Sequence, residues 1–172
     1  MVVFRANLIP RVGVSRAMST FEKRSQIAAS PDRVFAFHEL PDALERLTPP
    51  WMHAKVLRKD RGLLVGVRVE IETRIGPIKR RLLAEHVAYE KGRMFRDRQV
   101  RGPFAKWEHT HSMVPDGQGG CWLTDHVEYE LPFGILGRLS GGWFARRQLD
   151  RLFAYRHQVT KAWCESPTPA TA

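Results

Sequence analysis

The sequence predicts one α+β domain, with a curved antiparallel sheet of about seven strands wrapped around a long C-terminal helix and two short helices after the first strand. Three observations carry this prediction. Residues 54–131 read as successive short strands broken by Gly and Pro turns. Residues 136–159 repeat Leu136, Leu139, Trp143, Leu149, Leu152, Phe153, Arg156 and Val159 at spacings near three and four, the period of an amphipathic helix. Finally, the strand connections are short, which favours antiparallel pairing, and the helix must bury its apolar stripe on that sheet.

Taken in order, 21–27 reads as the first strand. Ser30-Pro31-Asp32 then starts a short helix, with Ser30 as N-cap and Pro31 at the first helical position. Pro41-Asp42 opens a second short helix, and Thr48-Pro49-Pro50 ends it. Strands follow at 54–59, 63–75, 78–89, 93–101, 104–114 and 121–131. The second of these alternates most clearly, with Val65, Val67, Val69 and Ile71 on one face and Arg68, Glu70 and Glu72 on the other. Gly76-Pro77, Glu90-Lys91-Gly92, Gly102-Pro103 and the Gly-rich 115–120 segment supply turns. Gly134, Gly137, Gly141 and Gly142 weaken the start of the last helix, where a kink or a mobile cavity mouth is expected. Residues 1–17 carry Arg5, Arg11 and Arg16 and no acidic residue, and read as a disordered extension with Met18 as an alternative start. The domain is expected at 18–164, and 165–172 as a disordered tail.

The chain has 172 residues, 43% hydrophobic, 10% aromatic and 27% charged, which is ordinary for a single globular domain and excludes full-length disorder. No run of about 18 uncharged apolar residues is present, so a membrane-spanning helix is not expected. Cys121 and Cys164 make no disulfide framework and read as small apolar residues in a reducing, cytoplasmic setting. The formal net charge is +10. Its basic residues are dispersed over 58–61, 79–81, 91–101 and the last helix at Arg138, Arg146, Arg147 and Arg151. That dispersal predicts a solvated basic surface, with peripheral attraction to an anionic membrane as the second reading. No pattern aims these residues at bases, so no specific nucleic acid is expected.

Gly102-Pro103-Phe104-x-x-Trp107-x-His109-x-His111, Asp125-x-Val127-x-Tyr129-x-Leu131-Pro132-x-Gly134 and Leu152-Phe153-x-Tyr155-Arg156 carry a resemblance. Together with the element order they resemble the START-like SRPBCC superfamily, in its polyketide cyclase/dehydrase-like and coenzyme-Q-binding-protein-like branch, over about residues 20–163. The resemblance implies a helix-grip (START/Bet v 1-like) fold with a hydrophobic cavity between sheet and helix. It implies no catalytic motif that carries over residue by residue.

The strand at 104–114 sets Trp107, His109, His111 and Met113 on one face, and the strand at 121–131 sets Asp125, Val127 and Tyr129 on the matching face. A hairpin through 115–120 places Asp125 opposite or diagonal to His109 or His111, and a carboxylate among inward apolar residues needs such a partner. Three readings of His109, His111 and Asp125 stand: a structural polar pair, an anchor for a ligand carbonyl or hydroxyl, and a His–Asp general base for cyclisation or dehydration. The expected ligand contacts are these three with Phe35, Trp51, Val67, Val69, Trp107, Met113, Tyr129, Trp143, Phe153 and Arg156, aromatic walls with a few polar groups. His109, His111 and Asp125 also have usable metal-ligand spacing, but no second His/Cys cluster supports them, and no metal or cofactor is expected. The resulting expectation is a carrier or sensor of a hydrophobic small molecule such as a lipid, quinone or polyketide-like compound. A cyclase/dehydrase-type enzyme and a regulatory or protein-interaction module are the alternatives.

Overall fold

The structure, a computed structural model, describes residues 18–75, 78–132 and 134–167. Its elements are β1 (Ser19–Ile27), α1 (Pro31–Glu39), α2 (Ala43–Arg46), a 3-10 turn (Pro50–Met52), β2 (Lys55–Lys59), β3 (Arg68–Ile75), β4 (Ile78–Glu90), β5 (Met94–Arg101), β6 (Lys106–Pro115), β7 (Cys121–Glu130) and α3 (Gly134–Glu165). One seven-stranded sheet holds them in the order β1-β7-β6-β5-β4-β3-β2. Every neighbouring pair is antiparallel. β2 to β7 form a meander, and β1 returns to close on β7, pairing Ser19 with Tyr129 and Ile27 with Cys121. α1 and α3 pack together, and α3 lies against β1 and β7. This is the helix-grip arrangement.

Local chemistry explains most boundaries. Ser30 Oγ accepts a hydrogen bond from the Arg33 amide at 3.3 Å, and Pro31 occupies the first turn of α1. Gly92 turns the chain between β4 and β5 at φ +72, a conformation that favours glycine, and a Cβ there would stand 2.5 Å from Asp32 Oδ1. The expected strand at 63–75 is shorter than its alternation suggests. Only Arg68–Ile75 pairs as β3, while Gly62 and Gly66, at φ +80 and +90, fold 61–67 into turns that leave Leu64 and Val65 exposed. Gly141 and Gly142 do not interrupt α3, which runs as one helix from Gly134 to Glu165. The extension expected at 1–17 and the end of the tail at 168–172 lie outside the described residues.

The core lies between the concave face of the sheet and the two main helices. β7 turns Cys121, Leu123, Asp125, Val127 and Tyr129 inward, all buried. α3 answers with Leu149, Phe153, His157, Thr160 and Cys164, one buried stripe at helical spacing. Phe21 stacks on Phe153 with ring centroids 5.4 Å apart, and Phe35 meets Phe95 edge-on at 6.0 Å. No described helix is long and apolar enough to cross a membrane.

Candidate functional site

The inward alternation that buries Leu123 and Val127 also buries Asp125 between them, and the register of β6 against β7 sets His111 directly opposite and His109 one step along the same face. His109 Nε2 donates to Asp125 Oδ1 at 2.8 Å. His111 Nδ1 lies 2.6 Å from the same oxygen, at ion-pair distance but off hydrogen-bond geometry. The other carboxylate oxygen, Oδ2, accepts from His157 Nε2 at 2.6 Å. A carboxylate can only accept, so His157 carries a proton on Nε2, and its Nδ1 lies 2.8 Å from Ser25 Oγ, a hydroxyl that can donate or accept. On the far side of the two strand histidines stands Asp97 of β5. Its Oδ2 lies 3.3 Å from His109 Nδ1 and 3.8 Å from His111 Nε2. His111 stacks on Phe95 at 4.1 Å and lies 3.9 Å from His109, centroid to centroid.

The electrostatics follow from this enclosure. Burial opposes ionisation of Asp125, yet His111, His109 and His157 around it hold its carboxyl well below the usual range. Asp97 is held low in the same way by His109 and His111. Burial would neutralise His109, but hydrogen bonding to Asp125 and the nearby Asp97 carboxylate raise it to about 9, so it is an imidazolium at neutral pH. His38 of α1 shows the reverse. It is buried, faces His111 at 5.6 Å and is lowered to about 3 by burial first and by the neighbouring His111 second. Its Nδ1 must donate to the Val34 carbonyl, 2.8 Å away, which leaves Nε2 as a bare acceptor. His86 of β4, paired in register with Asp97, is lowered chiefly by burial, and its buried Nδ1 has no hydrogen-bond partner among the described residues.

Residues 27–153 match a family described as polyketide cyclase / dehydrase and lipid transport. The chain belongs to that family. Among solved structures, the fold is similar to the norcoclaurine synthase of Thalictrum flavum, solved in complex with dopamine and hydroxybenzaldehyde, at 14% identity and a TM-score of 0.67, covering 96% of this chain and 100% of that one. It is similar to the Chromobacterium violaceum protein CV1439 at 18% identity and TM-score 0.66, covering 86% and 98%. It is also similar to the di-domain ARO/CYC StfQ of the steffimycin biosynthetic pathway at 16% identity and TM-score 0.67, covering 86% of this chain and 51% of that one. At these identities the likeness is one of fold. No curated protein matches the chain in sequence.

In this member of the polyketide cyclase/dehydrase and lipid transport family, the residues expected from the sequence do not all share one place. His109, His111 and Asp125 do come together, with Met113, Tyr129 and Phe153 buried around them. Phe35 is buried against Phe95 and Tyr89, and Trp107 is half-buried beside Tyr129 and His109. Val67 and Val69 are half-buried at the start of the β3 wing. Arg156 is half-buried and gives its Nε to the Leu47 carbonyl at 3.2 Å, so it ties α3 to the chain after α2. Trp51 sits at the surface under the Arg151 guanidinium, 4.3 Å from its ring. Trp143 corrects the expectation. It is 75% exposed and forms no wall of the interior, because it lies six residues before Leu149, about 240° around the helix from the buried stripe.

Sequence reasoning missed Asp97, His157, His38 and His86. Asp97 lies in a strand whose residues are half charged, MFRDRQVR, where Phe95 two positions earlier marks the inward face. His157 is four residues after Phe153 on the same stripe, a signal present in the spacing but masked by the neighbouring Arg156.

Proposed function

We propose that the protein binds a small, largely apolar molecule bearing a carbonyl or hydroxyl group on the concave face of its sheet, as a carrier or sensor. The observation that carries this is the floor of that face: a connected set of carboxylates and imidazoles bordered by apolar and aromatic side chains. Apolar walls supply most of the binding free energy, at about 25 cal/mol per Å² of ligand surface buried. The polar set then fixes orientation, since a ligand oxygen that enters a low-dielectric site must find a partner there.

The protonation states favour binding over proton abstraction. An effective general base has a pKa near the working pH. His109 at about 9 is already protonated, and its ring lies between two carboxylates. His38 at about 3 is a weak base but a good acceptor for a ligand hydroxyl. The family's cyclase/dehydrase chemistry is the second reading, and the pairing of an imidazolium donor with a neutral imidazole acceptor on one floor is what supports it.

Cargo of the lipid class would gain from membrane docking, and one surface suits it. Trp143 and Phe144 are 75% and 56% exposed on α3, next to exposed Arg146, Arg147 and Arg151. Vesicles containing phosphatidylserine should retain the protein in low salt, and neutral phosphatidylcholine vesicles should not; equal retention by both removes this docking role. The primary reading is tested by organic extraction of gently purified protein and mass spectrometry against a denatured and refolded control. One apolar compound per chain, absent from the control, is the expected result. An empty extract together with no binding of a fluorescent apolar probe overturns the reading.

A further inference from the structure

We propose that Asp97, His109 and His111 form a three-ligand site for a divalent transition-metal ion of the zinc class, with Asp125 holding the imidazoles from behind. The inference does not rest on the ligand reading above. Both histidines stand between two carboxylates, and the two sides differ. On the Asp125 side His109 Nε2 and His111 Nδ1 lie 2.8 and 2.6 Å from one oxygen, the separations of tight charged contacts. On the Asp97 side His109 Nδ1 and His111 Nε2 lie 3.3 and 3.8 Å from Oδ2. The longer of these is not a hydrogen bond. Both resemble the spacing of donor atoms around an ion, because bonds of about 2.0–2.1 Å put tetrahedral corners roughly 3.3 Å apart. One donor atom from each of the three residues lies within 4.8 Å of the others.

The surroundings match what such a site needs. A metal-bound histidine usually gives its other nitrogen to a carboxylate that fixes its orientation, and Asp125 occupies that position for His109 and contacts His111 there. Asp125 is itself held by His157, which Ser25 braces. Asp97 keeps 16% of its side chain exposed while Asp125 keeps 4%, so the opening is on the Asp97 side. Two imidazoles and one carboxylate with a further position free suit zinc, and also cobalt(II) or iron(II). The carboxylate ligand is therefore Asp97, not the Asp125 that strand spacing alone pairs with the two histidines.

The test is titration of the full-length protein, stripped with EDTA, with Zn²⁺ by calorimetry and with Co²⁺ by visible absorption. One ion per chain at micromolar affinity or better is expected, with the intense cobalt bands of a four-coordinate site. Asp97→Asn should weaken binding at least about 100-fold and Asp125→Asn about 10- to 100-fold, by loss of a ligand and of its support. His126→Gln, which removes a partly exposed histidine on the opposite face of β7, should change nothing. Absence of stoichiometric binding, or binding unchanged in Asp97→Asn, overturns the site. If Asp97→Asn does not fold by circular dichroism, imidazole ¹⁵N spectra of the wild type with and without Zn²⁺ decide. Coordination through His109 Nδ1 and His111 Nε2 supports the site, and perturbation confined to other histidines overturns it. The titration uses metal alone, so its failure leaves the small-molecule reading intact, and the reverse also holds.

Discussion

β6 and β7 bury alternate side chains from His109 to Met113 and from Cys121 to Tyr129, whereas among the described side chains of β2, β3 and β4 only His86 is buried. The sequence alternates in both regions. Val69 and Ile71 on β3 are patterned like Leu123 and Val127 on β7. What differs is the cover. α3 and α1 pack on the β1-β7-β6 end, and among the described residues no comparable layer sits on the β2-β3-β4 end. Alternation thus tells which face of a strand is apolar, and the helices decide whether that face becomes core or remains a wall available to a ligand. The His/Asp cluster stands on β5, β6 and β7, where one regime passes into the other.

The largest expected effect that tests this contrast is Phe153→Ala. It removes a fully buried ring from the covered end and should cost about 3–5 kcal/mol in urea denaturation. Leu82→Ala on the open wing should cost about 1 kcal/mol or less, and equal losses would erase the distinction. Next, Asp125→Asn leaves His109 and His157 without their carboxylate and should cost about 3 kcal/mol, read by the same denaturation.

The pH dependence should show two limbs in metal-free protein. His109, raised to about 9 from 6.5, stabilises fully below pH 6.5 and loses that contribution as pH climbs through 9. His38, lowered to about 3, contributes above pH 6.5 and loses its contribution as pH falls toward 3. Stability should peak near neutral pH, with limb slopes of at most about 1.4 kcal/mol per pH unit for each group. His38→Gln should flatten the acid limb between pH 6.5 and 4 and leave the alkaline limb unchanged; an unchanged acid limb removes His38 as its source. The smallest effect on stability belongs to Ala84→Trp, which fills the open wing beside His86. It should abolish binding of an apolar fluorescent probe while shifting the denaturation midpoint by less than about 1 kcal/mol.

Much of this arrangement is legible in the residues. The Gly-rich loop at 115–120 and the period-two spacing of β6 and β7 give the hairpin, the inward set and Asp125 opposite or diagonal to His109 or His111; that it meets both is read from the structure. The capping of α1 follows from Ser30-Pro31. The end of the 63–75 strand at Arg68 does not, because apolar alternation continued through Gly66 while the backbone turned. Asp97 and His157 were hidden for a different reason. Their role depends on which strand and which helix face come to lie beside β6 and β7, a long-range property that local periodicity does not encode. Trp143 marks the same limit, since its place off the stripe shows only when the phase is counted back from Leu149.

The pairing of β1 with β7 has a consequence for how the chain is made. Ser19 pairs with Tyr129, and the Ala28 amide donates to Glu165 Oε1 at 2.8 Å. During synthesis the β2–β6 meander can assemble from neighbours as it leaves the ribosome, but β1 must wait for more than a hundred residues to be added. At about 5–20 residues per second, that leaves its edge unpaired for several seconds. Such distant contacts belong to slow-folding topologies, with closure of the sheet as the late event and a strand edge left open until then.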